Sequence, residues 1–75
     1  MTTRDVEFLW RRSSRVNLAW YRSTHRLGLE YALHGDATHP HVVRELARAR
    51  RLWSENGRAN RAWCEARDRE RKEAA

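Results

Sequence analysis

Arginine is the residue type on which any chemistry of this chain has to be built. Of its 16 basic residues, all but Lys72 are arginine. Arg4, Arg11, Arg15, Arg22 and Arg26 are spaced so that, at roughly 100° per residue, they share about 60° of a helical wheel. Between Glu7 and Glu30 the chain has five arginines and no acid. Arg44, Arg51 and Arg58 then recur every seven residues, and residues 44–61 set six arginines against Glu45 and Glu55. A guanidinium carries a planar fork of donors that grips phosphate bidentately. A row of them along a rigid rod suits the spaced phosphates of a nucleic acid, with salt-dependent binding and little sequence readout. The candidate nucleic-acid-binding residues are therefore Arg11, Arg15, Arg22, Arg26, Arg44, Arg51 and Arg58. Two other readings compete. One is an ordinary solvated helix back: the chain lacks Ile and Gln and is rich in Ala, the bias that GC-rich coding produces. The other is a protein-binding face, since Leu18 and Leu29 interrupt the stripe and arginine is enriched at protein interfaces.

The remaining reactive residue types carry less. His34, His39 and His41 gather near Asp36, and zinc accepts imidazole and carboxylate ligands. Their spacing matches no standard metal site and no cysteine is near, so capping and solvent exposure account for them and no metal ligand is expected. Cys64 is the one cysteine, which excludes an internal disulfide. It lies about 30–45 Å along a helix from the histidines, too far for a Cys–His catalytic pair, and reads as a small apolar residue on the flank of a packing seam. There is no Gly-rich phosphate loop, no pair of catalytic carboxylates and no zinc-finger spacing. A helix-turn-helix would need its turn at 54–57, which interrupts a pattern that otherwise stays in phase. The expectation is a protein that is not an enzyme and has no cofactor.

The elements that position these residues follow from one cluster of breakers, His34-Gly35-Asp36-Ala37-Thr38-His39-Pro40. The two sides of this cluster reflect onto each other. Positions whose numbers sum to 73 pair Trp10 with Trp63, Trp20 with Trp53, Leu27 with Leu46, Tyr31 with Val42, Thr24 with Ala49 and Ser13 with Asn60. That is the register of an all-α, antiparallel two-helix hairpin, with helices over about 3–34 and 39–70 and a turn at 35–38. Thr2 fits an N-cap with Asp5 three residues on. Val6, Leu9, Ser13, Val16, Trp20, Thr24, Leu27 and Tyr31 form the first seam by steps of three and four. Gly35 suits the position just past the helix end, where φ is positive. Thr38 or His39 caps the second helix, with Pro40 in its first turn. The second seam is Val42, Leu46, Ala49, Trp53, Asn56, Asn60 and Trp63, and it keeps its phase through Asn56-Gly57, which predicts one continuous helix. Residues 1–75 form one domain, and the charged tail 67–75 is expected to fray.

High charge and low hydropathy alone would suggest disorder, but four Trp, two Tyr, one Phe and the periodicity argue against it. No apolar run approaches the roughly 20 residues of a membrane span, and no apolar leader follows Met1. A cytoplasmic location with no membrane contact is the expectation. Two thin rods bury one stripe each, which is marginal against a backbone ordering cost of about 1–2 kcal/mol per residue. Self-association into a helical bundle, as a homo-oligomer, is the usual remedy. Phe8, Leu18, Leu29 and Leu33, off the seam, are the candidate oligomer or partner interface. Ser13 with Asn60 and Asn17 with Asn56 would form a polar layer that holds the register. The functional expectation is a small non-enzymatic basic protein that binds nucleic acid through the arginine stripe. The alternative is a protein-binding regulator or assembly module acting through a mixed Arg/Leu face, such as a phage-encoded modulator of a host protein. No residue set distinguishes DNA from RNA.

Overall fold

The computed structural model describes residues 3–75, with side chains from residue 5 onward, so the Thr2 cap and the Arg4 side chain lie outside the described residues. Helix α1 spans Thr3–His34 and helix α2 spans Pro40–Ala74. They fold back on each other as a rod with Cα dimensions of 55 × 14 × 13 Å.

The chain reverses where its breakers stand. Gly35 takes φ 63°, the left-handed region that only glycine occupies cheaply, and its N–H bonds the Tyr31 carbonyl at 2.7 Å. That single bond closes the C-terminus of α1 and satisfies one of its orphan carbonyls. Asp36 Oδ1 then accepts from both the N–H and the hydroxyl of Thr38, at 2.8 and 2.7 Å. His39, not Thr38, is the N-cap of α2. Its backbone is extended, as a residue before proline must be, and its Nδ1 accepts the His41 N–H at 3.1 Å. Pro40 occupies the first helical position, where a missing N–H costs nothing. The turn is therefore one residue longer than the spacing predicts.

The antiparallel register holds. Trp20 and Trp53 stand with ring centroids 4.9 Å apart, and Asn56 Nδ2 donates to Asn17 Oδ1 at 3.2 Å. His34 and His39 stack at 3.5 Å, so the same mirror relation runs into the turn. Helix α2 is continuous through Asn56-Gly57. It also continues through the charged tail to Ala74, where Ala66 is fully buried and Val6 of α1 lies beside Arg67, Glu70 and Arg71.

The seams differ from the expected ones by a drift in phase. One unbroken row of half-buried and buried positions on α1 is Leu9, Ser13, Val16, Trp20, Ser23, Leu27, Glu30 and His34; on α2 it is Val42, Glu45, Ala49, Leu52, Asn56, Ala59, Trp63, Ala66 and Glu70, and Val6, Ala19, Thr24, Leu46, Glu55, Gly57, Ala62, Cys64 and Arg67 are half-buried as well. Both rows step strictly four, three, four, three, the seven-residue repeat of a coiled coil. Following an untwisted helix at 3.6 residues per turn moves off such a seam by about 20° per heptad. This is why Tyr31, Trp53 and Asn60, expected inside, are exposed, while Ser23, Leu52 and Ala59 take seam positions.

The buried core is made of small residues: Val42, Ala49, Ala59 and Ala66, with Ser23 among them. Leu9, Leu27, Leu46 and Leu52 are only half-buried around this narrow core, and most aromatic rings are exposed. The Ser23 hydroxyl is buried without a hydrogen-bond partner. A buried donor left unpaired costs about 1–3 kcal/mol, and alanine is the better helix former. Ser23→Ala is therefore expected to stabilise the hairpin by about 1 kcal/mol. Ala66→Leu should destabilise it by about 1–3 kcal/mol through overpacking, while Tyr31→Ala should change it by less than about 0.5 kcal/mol. Urea unfolding followed by circular dichroism at one fixed protein concentration ranks the three.

Candidate functional site

A two-helix rod has two outer edges and two broad faces, and the candidate residues divide among them. Arg11, Arg15, Arg22 and Arg26 are exposed along the outer edge of α1, opposite its seam. Arg11 pairs with Glu7 one turn earlier. Arg15, Arg22 and Arg26 make no ion pair among the described residues. Arg44, Arg51 and Arg58 are exposed along the outer edge of α2. Arg15, Arg22, Arg44, Arg51 and Arg58 each stand two positions after an equivalent seam residue, so in this antiparallel pair the two rows lean toward the same broad face. The structure thus sets four of the seven arginines along α1 and the other three along α2.

Phe8, Leu18, Leu29 and Leu33 interleave with the arginines on the α1 edge, and all four are at least half exposed. They form a discontinuous apolar row rather than a compact patch. Cys64 is half-buried with a free thiol beside the seam, far along the rod from the turn.

A groove walled by tryptophans lies on one broad face, where spacing alone does not place it. Trp10 and Trp63 from one end and Trp53 from the other bound a groove of about 630 Å³ between the helices. Ser13, Asn17, Asn56 and Asn60 line its floor, and Arg61 stands at its side. The expected polar layer is therefore present but open to solvent on this face. Beyond Trp53, the rings of Trp20 and Tyr21 continue the aromatic surface at 5.1 Å from each other. Arg67 lies over the Trp63 ring with its Cζ 4.8 Å from the centroid, a cation–π contact that fixes the end of the groove. A strict seven-residue repeat drawn through α2 puts Trp53 outside the seam, and that was the signal in the sequence for this face.

The turn gathers the histidines. His34 and His39 stack nearly parallel at 3.5 Å, and His41 meets both edge-on at 5.5 and 5.0 Å. Glu30 Oε2 hydrogen-bonds His34 Nε2 at 3.1 Å and lies 3.7 Å from His41 Nδ1. The half-buried His39 ring titrates below the ordinary imidazole value, because burial disfavours its charged form and the neighbouring His34 and His41 oppose a further positive charge. Asp36 titrates below the usual carboxylate range because Thr38 donates two hydrogen bonds to its charged form, the hydroxyl bond contributing most. The mirror register already pairs position 34 with position 39, so the approach of these two rings was legible before the fold.

Comparison with family models, with curated proteins and with solved structures found no match.

The Trp20–Trp53 pair reports the register directly. Trp53→Ala removes a ring that is 59% exposed. Its expected cost is about 0.5–1.5 kcal/mol, the worth of one aromatic pair, with loss of the exciton coupling between the two indoles in circular dichroism. Tyr31→Ala should leave that signal in place.

Proposed function

We propose that this protein is a non-enzymatic nucleic-acid-binding protein whose phosphate-contacting surface is the α1 edge. The observation that carries this reading is the line of exposed Arg11, Arg15, Arg22 and Arg26 on one uninterrupted helix. Composition bias supplies arginines but does not collect them on one edge. From Arg11 to Arg26 the line runs about 22 Å at helical rise, a length facing about six phosphates of one strand of a duplex. A net charge of +6 on 75 residues adds a long-range attraction toward polyanions. A duplex lying along α1 meets these four guanidinium groups, and the three arginines of α2 form a second row on the other helix.

A protein partner is the second reading, and it has its own observation. The aromatic face carries exposed Trp10, Tyr21 and Trp53 beside Arg61, the residue types that dominate protein interfaces, on a chain with a single lysine. The thin core supports the same reading, and it supports self-association, through this face or through Phe8, Leu18, Leu29 and Leu33, because an added layer would supply burial that one hairpin lacks.

Titration against duplex DNA and RNA across salt concentrations separates these readings. Four phosphate contacts predict a log–log slope of about −3 to −4 for duplex DNA. Arg15→Glu with Arg22→Glu should weaken binding to all sequences alike, whereas Arg51→Glu with Arg58→Glu should have a smaller effect. No binding at low salt overturns the proposal. Sedimentation of the same samples reports the oligomer: a folded monomer at micromolar concentration would exclude the self-associated state.

A further inference from the structure

We propose that the turn is a metal site in which His34, His39 and His41 hold one divalent transition-metal ion of the zinc type. The inference is independent of what the arginine edge binds.

The three residues come from three different local structures that the fold forces together. His34 is the last residue of α1, His39 is the N-cap of α2, and His41 is in the first turn of α2. One ring nitrogen from each lies within 4.8 Å of the others. Three imidazoles on a tetrahedral ion, with bonds of about 2.0–2.1 Å, need their nitrogens about 3.3–3.4 Å apart. Side-chain rotation is the movement the site would use to close the gap from 4.8 Å. His41 is exposed and free to swing inward, and the stacked His34 and His39 rings need only tilt open for their lone pairs to converge.

The surroundings match what such sites require. His39 Nδ1 is occupied by the His41 N–H, which leaves Nε2 as the nitrogen able to bind metal and fixes the ring's orientation. Glu30 Oε2 reaches both His34 and His41. A carboxylate at that position orients a ligating imidazole and raises its basicity, or fills the fourth coordination place. Glu30 thus puts a carboxylate in contact with two of the three rings, at 3.1 Å from His34 Nε2 and 3.7 Å from His41 Nδ1. Three imidazoles with no thiolate select zinc, copper or nickel rather than magnesium or calcium. In sequence the set escapes the usual spacing rules because the ligands straddle a helix end, a turn and a helix start.

The consequence is a clip. An ion bound to His34 at the end of α1 and to His39 and His41 at the start of α2 ties the two helices at the hinge. Metal would then stabilise the folded hairpin over the open chain.

The test uses the full-length chain without a histidine tag, titrated with Zn²⁺ by calorimetry and with Co²⁺ by visible absorption. One equivalent of metal per chain, saturating at micromolar concentration, with a rise in melting temperature, is the expected result. His39→Asn keeps an N-capping acceptor and His34→Gln keeps a helix former, so both leave the fold in place, which circular dichroism verifies. Each should weaken binding by more than tenfold, Glu30→Gln should weaken it about 10–100-fold, and His25→Gln, away from the turn, should leave it unchanged. Absence of uptake at millimolar metal overturns the proposal. So does uptake that His34→Gln and His39→Asn do not reduce, and so does a stoichiometry of half an ion per chain, which would mean a site shared between two copies.

Discussion

Two helices touch only along stripes, and on this chain the stripe is lined with small residues. Val42 and the alanines at 49, 59 and 66 of α2, with Ser23 of α1, are what lie buried. A buried methyl contributes only about 0.8 kcal/mol, so the seam alone is a weak source of stability for two helices of 32 and 35 residues. Other features of the rod follow from that limitation. Larger side chains have no room at the centre and collect at the margins, where Trp20 and Trp63 are half-buried and Trp10, Tyr21 and Trp53 are exposed.

The same constraint sorts the surface. A seam with a seven-residue repeat assigns every other position to an edge or a face. The arginines at 11, 15, 22 and 26 are exposed along α1 and those at 44, 51 and 58 along α2, while Trp10, Trp53 and Trp63 border the groove on one broad face. An electrostatic surface and an aromatic one are thereby kept apart on a molecule 14 Å thick at its Cα atoms. The phosphate-binding reading depends on the first and the protein-binding reading on the second, and the two surfaces can be altered by separate substitutions.

The turn shows how a structural requirement can create chemistry. Gly35 is needed for its positive φ, Pro40 for helix initiation, and a side-chain acceptor at position 39 for capping. Histidine fills that capping role with one ring nitrogen and keeps the other free. With His34 closing α1 and His41 opening α2, three imidazoles meet because the chain must reverse there, and Glu30 is held one helical turn below them.

The amino-acid sequence by itself determined the helices, their reversal and their pairing. Breakers occur together only at 34–40, and the mirror relation through that point set Trp20 opposite Trp53 and Asn17 opposite Asn56, as found. Local rules sufficed because capping, glycine's access to positive φ and proline's missing donor act within a few residues. The sequence also placed Arg11, Arg15, Arg22 and Arg26 on one side of α1, since a single helix's geometry decides that. What only the tertiary structure decided was the phase of the seam. Whether Thr24 or Ser23, Trp53 or Leu52, Asn60 or Ala59 turns inward depends on how two helices wind about each other, and a wheel drawn for one straight helix carries no such information. From that phase follow the exposure of the aromatic face and the depth of the Asn17–Asn56 layer. The mirror relation brings position 34 to position 39, but that His41 and Glu30 join those two rings needed the folded turn.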